Sequence, residues 1–191
     1  MSEPSYRTKR EGILLRDDFK CQGCNFFSKK FHEVHHKDDN HSNDKDENLV
    51  TFCCLCHGCF HLGFVGQQSK AQIIYLPELE QHELNTILRS MWIAVENKTK
   101  YKDHAKLVLA ILKNRATHAR EILKTSEPRV LANLLAELPD KDYKRRSSFL
   151  ADFKLLHSPE LYERQLKYWS SETINNYPEE NWGDLLQEAQ K

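Results

Sequence analysis

The sequence predicts an α+β protein in two parts: a small metal-bound module over residues 1–76 and an α-helical region over residues 77–191. Two observations carry this. All six cysteines (Cys21, Cys24, Cys53, Cys54, Cys56 and Cys59) lie in one 39-residue window, and six of the ten histidines fall between His32 and His61. Past residue 77 there is no further cysteine, and apolar residues recur at spacings of three and four, the helical period. A length of 191 residues suits a small module joined to a slightly larger one, since domains run to about 100–200 residues.

Taken in order, residues 6–20 carry a helix-like pattern with Ile13, Leu14 and Phe19 on one side, ending before Cys21. Phe31 to His36 reads as a strand, and Lys37 to Asn48, rich in Asp, Asn and Ser, as a loop. The chain turns apolar at Leu49 and Val50. Cys54 to His61 then reads as a short helix stopped by Gly63 and Gly66. Ala71 to Leu76 is a strand candidate, and Pro77 with Glu78 and Glu80 marks the opening of a helix. Ala105, Val108, Leu112, Ala116, Ala119 and Leu123 form one stripe of an amphipathic helix. Pro128, Pro139, Pro159 and Pro178 each stand where a new helix begins.

Composition bounds the function. Hydrophobic residues make up 39% and charged residues 29%, enough apolar content for a core. Twenty-eight Lys and Arg balance 28 Asp and Glu, which excludes a uniformly basic nucleic-acid binder. The balance is uneven along the chain: residues 98–168 hold 16 cations against 9 acids, and residues 169–191 one cation against five acids. The longest apolar run, Leu107 to Leu112, is six residues, whereas a membrane-spanning helix needs about 20. The N-terminus lacks the apolar core of about 7–15 residues that a secretory signal requires. A cytoplasmic, reducing location is expected, and there clustered thiols at CxxC spacing read as a metal site.

Two constellations carry chemistry. Cys21 and Cys24, with Cys53 and Cys56 about thirty residues later, offer four thiolates for a tetrahedral structural zinc. Cys56 and Cys59 form a competing second pair. The other constellation is His35-His36, Asn48, His57 and His61. His57 and His61 are four apart, so on a helix both reach one cation. His35 completes a three-nitrogen site with open positions, and the adjacent His36 is left free for proton transfer. His32 and His41 fall outside the pattern and are expected in solvent. His82, His104, His118 and His157 receive no role.

This second pattern, interleaved with two CxxC pairs, resembles the HNH endonucleases, whose ββα-metal finger is a nuclease active site. The resemblance implies an HNH-like ββα module in which His36 is the general base and Asn48 orients its ring through the side-chain carbonyl. It also implies that His35, His57 and His61 hold a second divalent metal (Mg²⁺, Mn²⁺, Ni²⁺ or Zn²⁺) on the scissile phosphate of DNA.

A closer resemblance rests on NLVTFCCLCHGCF followed by IIYLPELEQHELN and, more weakly, on SFLADFKLLHSPELYERQLKYW. These stretches are similar to the IcmJ/DotN family of Dot/Icm type IVB secretion systems, over roughly residues 13–170. That resemblance implies a zinc module used as a scaffold, in a coupling complex on the cytoplasmic side of the inner membrane. The implied partner is a segment of the coupling ATPase or another secretion-complex protein. The family's best-known members lack the HNH catalytic residues, whereas this chain keeps His35, His36, Asn48, His57 and His61. An active metal-dependent HNH DNA endonuclease is therefore the alternative function.

Overall fold

Asp18 and Phe19 both adopt positive φ (52° and 51°), and this double left-handed step ends the first helix and turns the chain into the first cysteine pair. In the computed structural model, which describes residues 3–68 and 71–182, that helix is α1 (Glu3–Arg16). Two antiparallel strands follow, β1 (His32–His36) and β2 (Leu49–Cys53), in a register that sets His35 opposite Val50 and His36 opposite Leu49. Arg16 fastens α1 to this hairpin. Its guanidinium donates to the carbonyls of Asp46 and Leu49 and to the carboxylate of Asp17, which in turn accepts from the Thr51 N–H.

Directly after β2 come two short helices, α2 (Cys54–Gly58) and α3 (Leu62–Gln67). The glycines expected to stop the helix, Gly63 and Gly66, lie inside α3 instead. Gly66 is required by packing: a Cβ there would stand 2.3 Å from the backbone nitrogen of Arg129, at the N-terminal turn of a helix laid across α3. Strand β3 (Ala71–Tyr75) follows where a strand was expected.

Helix α4 (Gln81–Glu96) opens four residues later than Pro77. Its start is set by a capping box, in which the Glu80 N–H donates to the Glu83 carboxylate and the Glu80 side chain accepts from the helix. The stripe from Ala105 to Leu123 is divided between α5 (Lys102–Asn114) and α6 (Ala116–Leu123). They join at Arg115, whose guanidinium pairs with both oxygens of Glu78 at 2.9 Å and whose carbonyl accepts from the Tyr75 N–H. Bending the backbone here lets both segments pack against β3.

Helix α7 (Pro128–Ala136) starts at Pro128, as expected, and lies on α3. After the short α8 (Asp140–Tyr143) and α9 (Arg146–Phe149) comes β4 (Phe153–His157), a strand in the region read as helical. It pairs antiparallel with β3, Ala71 opposite His157 and Tyr75 opposite Phe153. Pro159 opens a single 3₁₀ turn, and α10 (Glu163–Asn176) packs on α4. The larger core joins Cys21, Cys53 and Cys56 to Ile74, Leu84, Leu88, Trp92 and Trp169, so it draws on residues from both sides of position 76. A second core gathers Val65, Ile73, Ala119, Leu131, Leu135 and Leu155 between α3, α6, α7 and the β3–β4 pair. Among the described residues, no helix is long and apolar enough to cross a membrane.

Two of the helical glycines, Gly66 and Gly12, separate packing from propensity. Gly66→Ala forces atoms apart and lowers unfolding free energy by about 1–3 kcal/mol. Gly12→Ala, where nothing stands within 4 Å of the added Cβ, raises it by about 0.5–1 kcal/mol by restricting the unfolded chain. Denaturant titration of the two variants checks both signs.

Candidate metal centre

Both cysteine pairs sit at chain reversals. Around the first, the Cys21 N–H donates to the Phe26 carbonyl and the Asn25 N–H to the Cys21 carbonyl, with Asn25 at a φ of 56°. At the second, β2 delivers Cys53 as the cap of α2, where its sulfur accepts from the Cys56 N–H at 3.5 Å. The four sulfurs of Cys21, Cys24, Cys53 and Cys56 all lie within 4.8 Å of one another, three of these residues being buried. With Zn–S bonds of about 2.3 Å, a regular tetrahedron has edges of about 3.8 Å. The Cys24–Cys53 sulfur separation is 3.7 Å. Four soft donors at tetrahedral spacing fit one zinc ion with every position filled, the arrangement of a structural site.

Of the two pairings open in the sequence, Cys53 and Cys56 are the residues brought to Cys21 and Cys24. Cys59 turns away, its thiol donating to the Leu55 carbonyl at 3.3 Å, and burial pushes it up to about 12. Burial likewise raises the Cys54 thiol to about 12, so both are inert thiols. Hydrogen bonds from Cys21, Cys53 and Cys56 hold the Cys24 thiol far below the ordinary range, with the Arg89 charge adding to them. Bonding to Cys21, Cys24 and Cys56 pushes Cys53 far up.

Helix α4 supplies contacts to this centre that the sequence reading missed. The Arg89 guanidinium, 4% exposed, lies 3.7 Å from the Cys24 sulfur and 3.9 Å from that of Cys53. The fully buried Asn85 amide donates to the Cys56 sulfur at 3.4 Å. The available signal was two polar residues four apart in a helix with polar residues on more than one side, which reads equally well as a solvated face.

The histidines converge less regularly than one helix would bring them. His57 lies on α2, which ends at Gly58, and His61 precedes α3. Two tight turn bonds, Phe60 N–H to the His57 carbonyl and His61 N–H to the Gly58 carbonyl, carry the chain between them. The Nε2 atoms still meet at 3.2 Å, and His35 from β1 brings its ring nitrogen within 4.8 Å of theirs. Phe60 stacks on the His35 ring at 4.5 Å. Burial lowers His57 to about 4, helped by His61 and His35, and burial lowers His35 as well. Both rings are thus neutral near pH 7, the form that donates a lone pair to a cation.

His36, at the end of β1, shares with these three a cleft of about 350 Å³, but its ring is held elsewhere, by the Asp44 carboxylate at 2.9 Å. The Asn48 carbonyl does not reach it. That oxygen accepts from the Asp38 N–H, and the Asn48 amide donates to the Asp38 carboxylate and the Asn43 carbonyl. Hydrogen bonds from Asn43, Asn40 and Asn48 lower the Asp38 carboxyl to about 2. Asn48 therefore braces the loop that carries Asp44 to His36, one step removed from the ring.

Two other histidines depart from expectation. His32 is 2% exposed, its Nε2 3.1 Å from the Phe26 carbonyl, because β1 turns it inward. His157, which had no role, is buried on β4 under α2. Its Nε2 lies 3.0 Å from the Leu55 carbonyl, which only accepts, so Nε2 carries the proton and Nδ1 accepts from the Tyr162 hydroxyl at 2.9 Å. His41 is exposed beside His36, with ring centroids 5.1 Å apart.

No family model matches the chain. Over 173 residues it is 28% identical to the Type 4 apparatus protein DotN of Legionella pneumophila subsp. pneumophila strain Philadelphia 1. The chain is similar to DotN. The alignment covers 88% of this chain and 81% of DotN, so it reaches into both the cysteine-rich part and the helices that follow. This supports the IcmJ/DotN family resemblance, while the HNH likeness rests on the residue pattern and on two strands followed by a helix.

The thiol geometry makes a direct prediction. Purified protein carries one tightly held zinc per chain, Cys21→Ser and Cys24→Ser lose it and unfold around β1 and β2, and Cys59→Ser keeps it. Elemental analysis with circular dichroism before and after chelation reads all three.

Proposed function

We propose that this chain is a zinc-stabilised subunit of the IcmJ/DotN family that binds a segment of the coupling ATPase in a type IVB secretion or conjugation complex. The observation that carries this reading is similarity to DotN across 88% of the chain, module and helices together. A closed four-thiolate centre suits it, since zinc with no open position stabilises a scaffold and performs no chemistry. The helices add exposed apolar pairs one turn apart, Leu107 with Ile111 on α5 and Val130 with Leu134 on α7. The protein works in the cytoplasm, held at the inner membrane through its partner. Used as bait in its host's membrane fraction, the full chain recovers the coupling ATPase, and Cys24→Ser does not. Recovery of no secretion component by the wild-type chain would sink the reading.

One observation favours a second reading, an active HNH-type DNA endonuclease: His35, His36, His57 and His61 all line one cleft. In it, the three ring nitrogens of His35, His57 and His61 hold a second divalent ion, which supplies Lewis-acid chemistry at a phosphate. His36 takes a proton from water, with Asp44 stabilising the imidazolium that forms. The first reading carries more weight, because the nuclease set occupies a single cleft while the similarity runs through the helices. Plasmid nicking in Mg²⁺, Mn²⁺, Ni²⁺ or Zn²⁺ separates the two. An enzyme loses about 10²–10⁴-fold of its rate in His36→Ala, and a scaffold nicks with neither protein.

A further inference from the structure

On α4, Gln81, Asn85 and Arg89 are spaced at i, i+4 and i+8, so all three project from one face, and that face lies against the thiolates and β4. We propose that these three residues are the outer shell of the zinc centre: Arg89 balances its charge, Asn85 holds the Cys56 sulfur, and Gln81 sets the direction in which Asn85 points. The proposal rests on the reading that the four cysteines hold zinc.

Charge is the first ground. Four thiolates around one Zn²⁺ leave a dianion buried in the core. Arg89 is itself buried, and among the described residues its guanidinium donates to no carboxylate; its polar contacts are the sulfurs of Cys24 and Cys53. Its flat face lies 3.7 Å above the Phe26 ring, which fixes the fork in place. A buried guanidinium without a counter-ion is strongly disfavoured, and so is a buried dianion without a cation. Each supplies what the other lacks.

The second ground is the direction of the hydrogen bonds. The Leu155 N–H on β4 donates to Gln81 Oε1 at 2.7 Å, and that backbone donor fixes which end of the Gln81 amide is oxygen. Gln81 Nε2 then spends its two hydrogens on the Leu155 carbonyl at 3.1 Å and on Asn85 Oδ1 at 3.0 Å. With its oxygen taken, Asn85 has only its Nδ2 to turn toward sulfur, and Nδ2 reaches Cys56 at 3.4 Å. A peptide group of β4 thereby decides that a donor faces the metal ligand. The same relay closes the outer edge of β4 at Leu155, tying the strand to the centre through α4.

Outer-shell partners of metal ligands typically change metal affinity by about 10–100-fold when removed. The full-length zinc-loaded protein is therefore compared with Arg89→Met, Arg89→Lys and Asn85→Leu. Zinc transfer to a chromogenic chelator should run about 10–100-fold faster in Arg89→Met and Asn85→Leu, and Arg89→Lys should restore most of the difference. After exchange to Co²⁺, the sulfur-to-metal charge-transfer bands of Arg89→Met and Asn85→Leu should move to longer wavelength, because sulfurs without donors give up electrons more easily. A residue that merely fills the core would leave those bands in place. Release within twofold of wild type together with unshifted bands overturns the proposal, whatever the variants' melting temperatures. Should Arg89→Met prove insoluble, Asn85→Leu and Arg89→Lys decide by the same two readouts. Wild-type protein that binds no zinc would instead refute the four-cysteine reading beneath it.

Discussion

Four thiols and one buried guanidinium meet where the β1–β2 hairpin meets α4, and the rest of the molecule is arranged around keeping that contact. Between residues 17 and 61 there is little buried apolar material: Leu49, Val50, Leu55 and the three cysteines Cys21, Cys53 and Cys56. Zinc bound by four cysteines would supply folding free energy that so little apolar burial does not. The cysteine-bearing turns also form one wall of the larger core, whose other walls are Leu84, Leu88 and Trp92 of α4 and Trp169 of α10. Arg89 and Phe26 cross that boundary, one from each side.

The histidine cleft inherits its geometry from the same contact. Cys56 and His57 are neighbours on α2, a helix of five residues that cannot hold itself together by backbone bonds alone. Its footing is the Cys53 cap, the Cys56 sulfur and the His157 ring that fixes the Leu55 carbonyl. His61 is placed by the turn that leaves α2. The order of causes thus runs from thiolates to helix to histidines, and a cleft of this kind cannot outlast the structural centre.

The parts of this architecture legible in the sequence were those that depend on residue type and short spacing. Paired cysteines, the β1 and β3 strands, the Asp- and Asn-rich loop and the Pro128 helix start each follow from local chemistry. Less legible were features set by distant contacts. Gly66 reads as a stop until Arg129 is laid across it. The stripe from Ala105 to Leu123 keeps its period across Arg115, so nothing local marks the bend that Glu78 and Tyr75 impose. Strand β4 is five residues with four of them buried, and a run that short has no period to read. Asn48 was recognised as part of the site but not as a loop brace, because the spacing of a motif carries no information about which neighbour an amide chooses.

The stripe on α4 shows why a polar residue in a buried helix is hard to interpret from sequence alone. Gln81, Asn85 and Arg89 have the spacing of a solvated face, yet the solvated face of α4 is elsewhere, at His82, Thr86 and Ser90. Only the position of the sulfurs reverses the meaning of the pattern. Once they are in place, the polar stripe is tightly constrained, because each group has a partner and Asn85 and Arg89 are buried from water. An apolar α4 would leave the Leu155 N–H and carbonyl without the partner that Gln81 gives them. It would also leave the charge of a zinc-loaded centre uncompensated, so the polar residues serve the fold and, with zinc in place, would answer the metal as well.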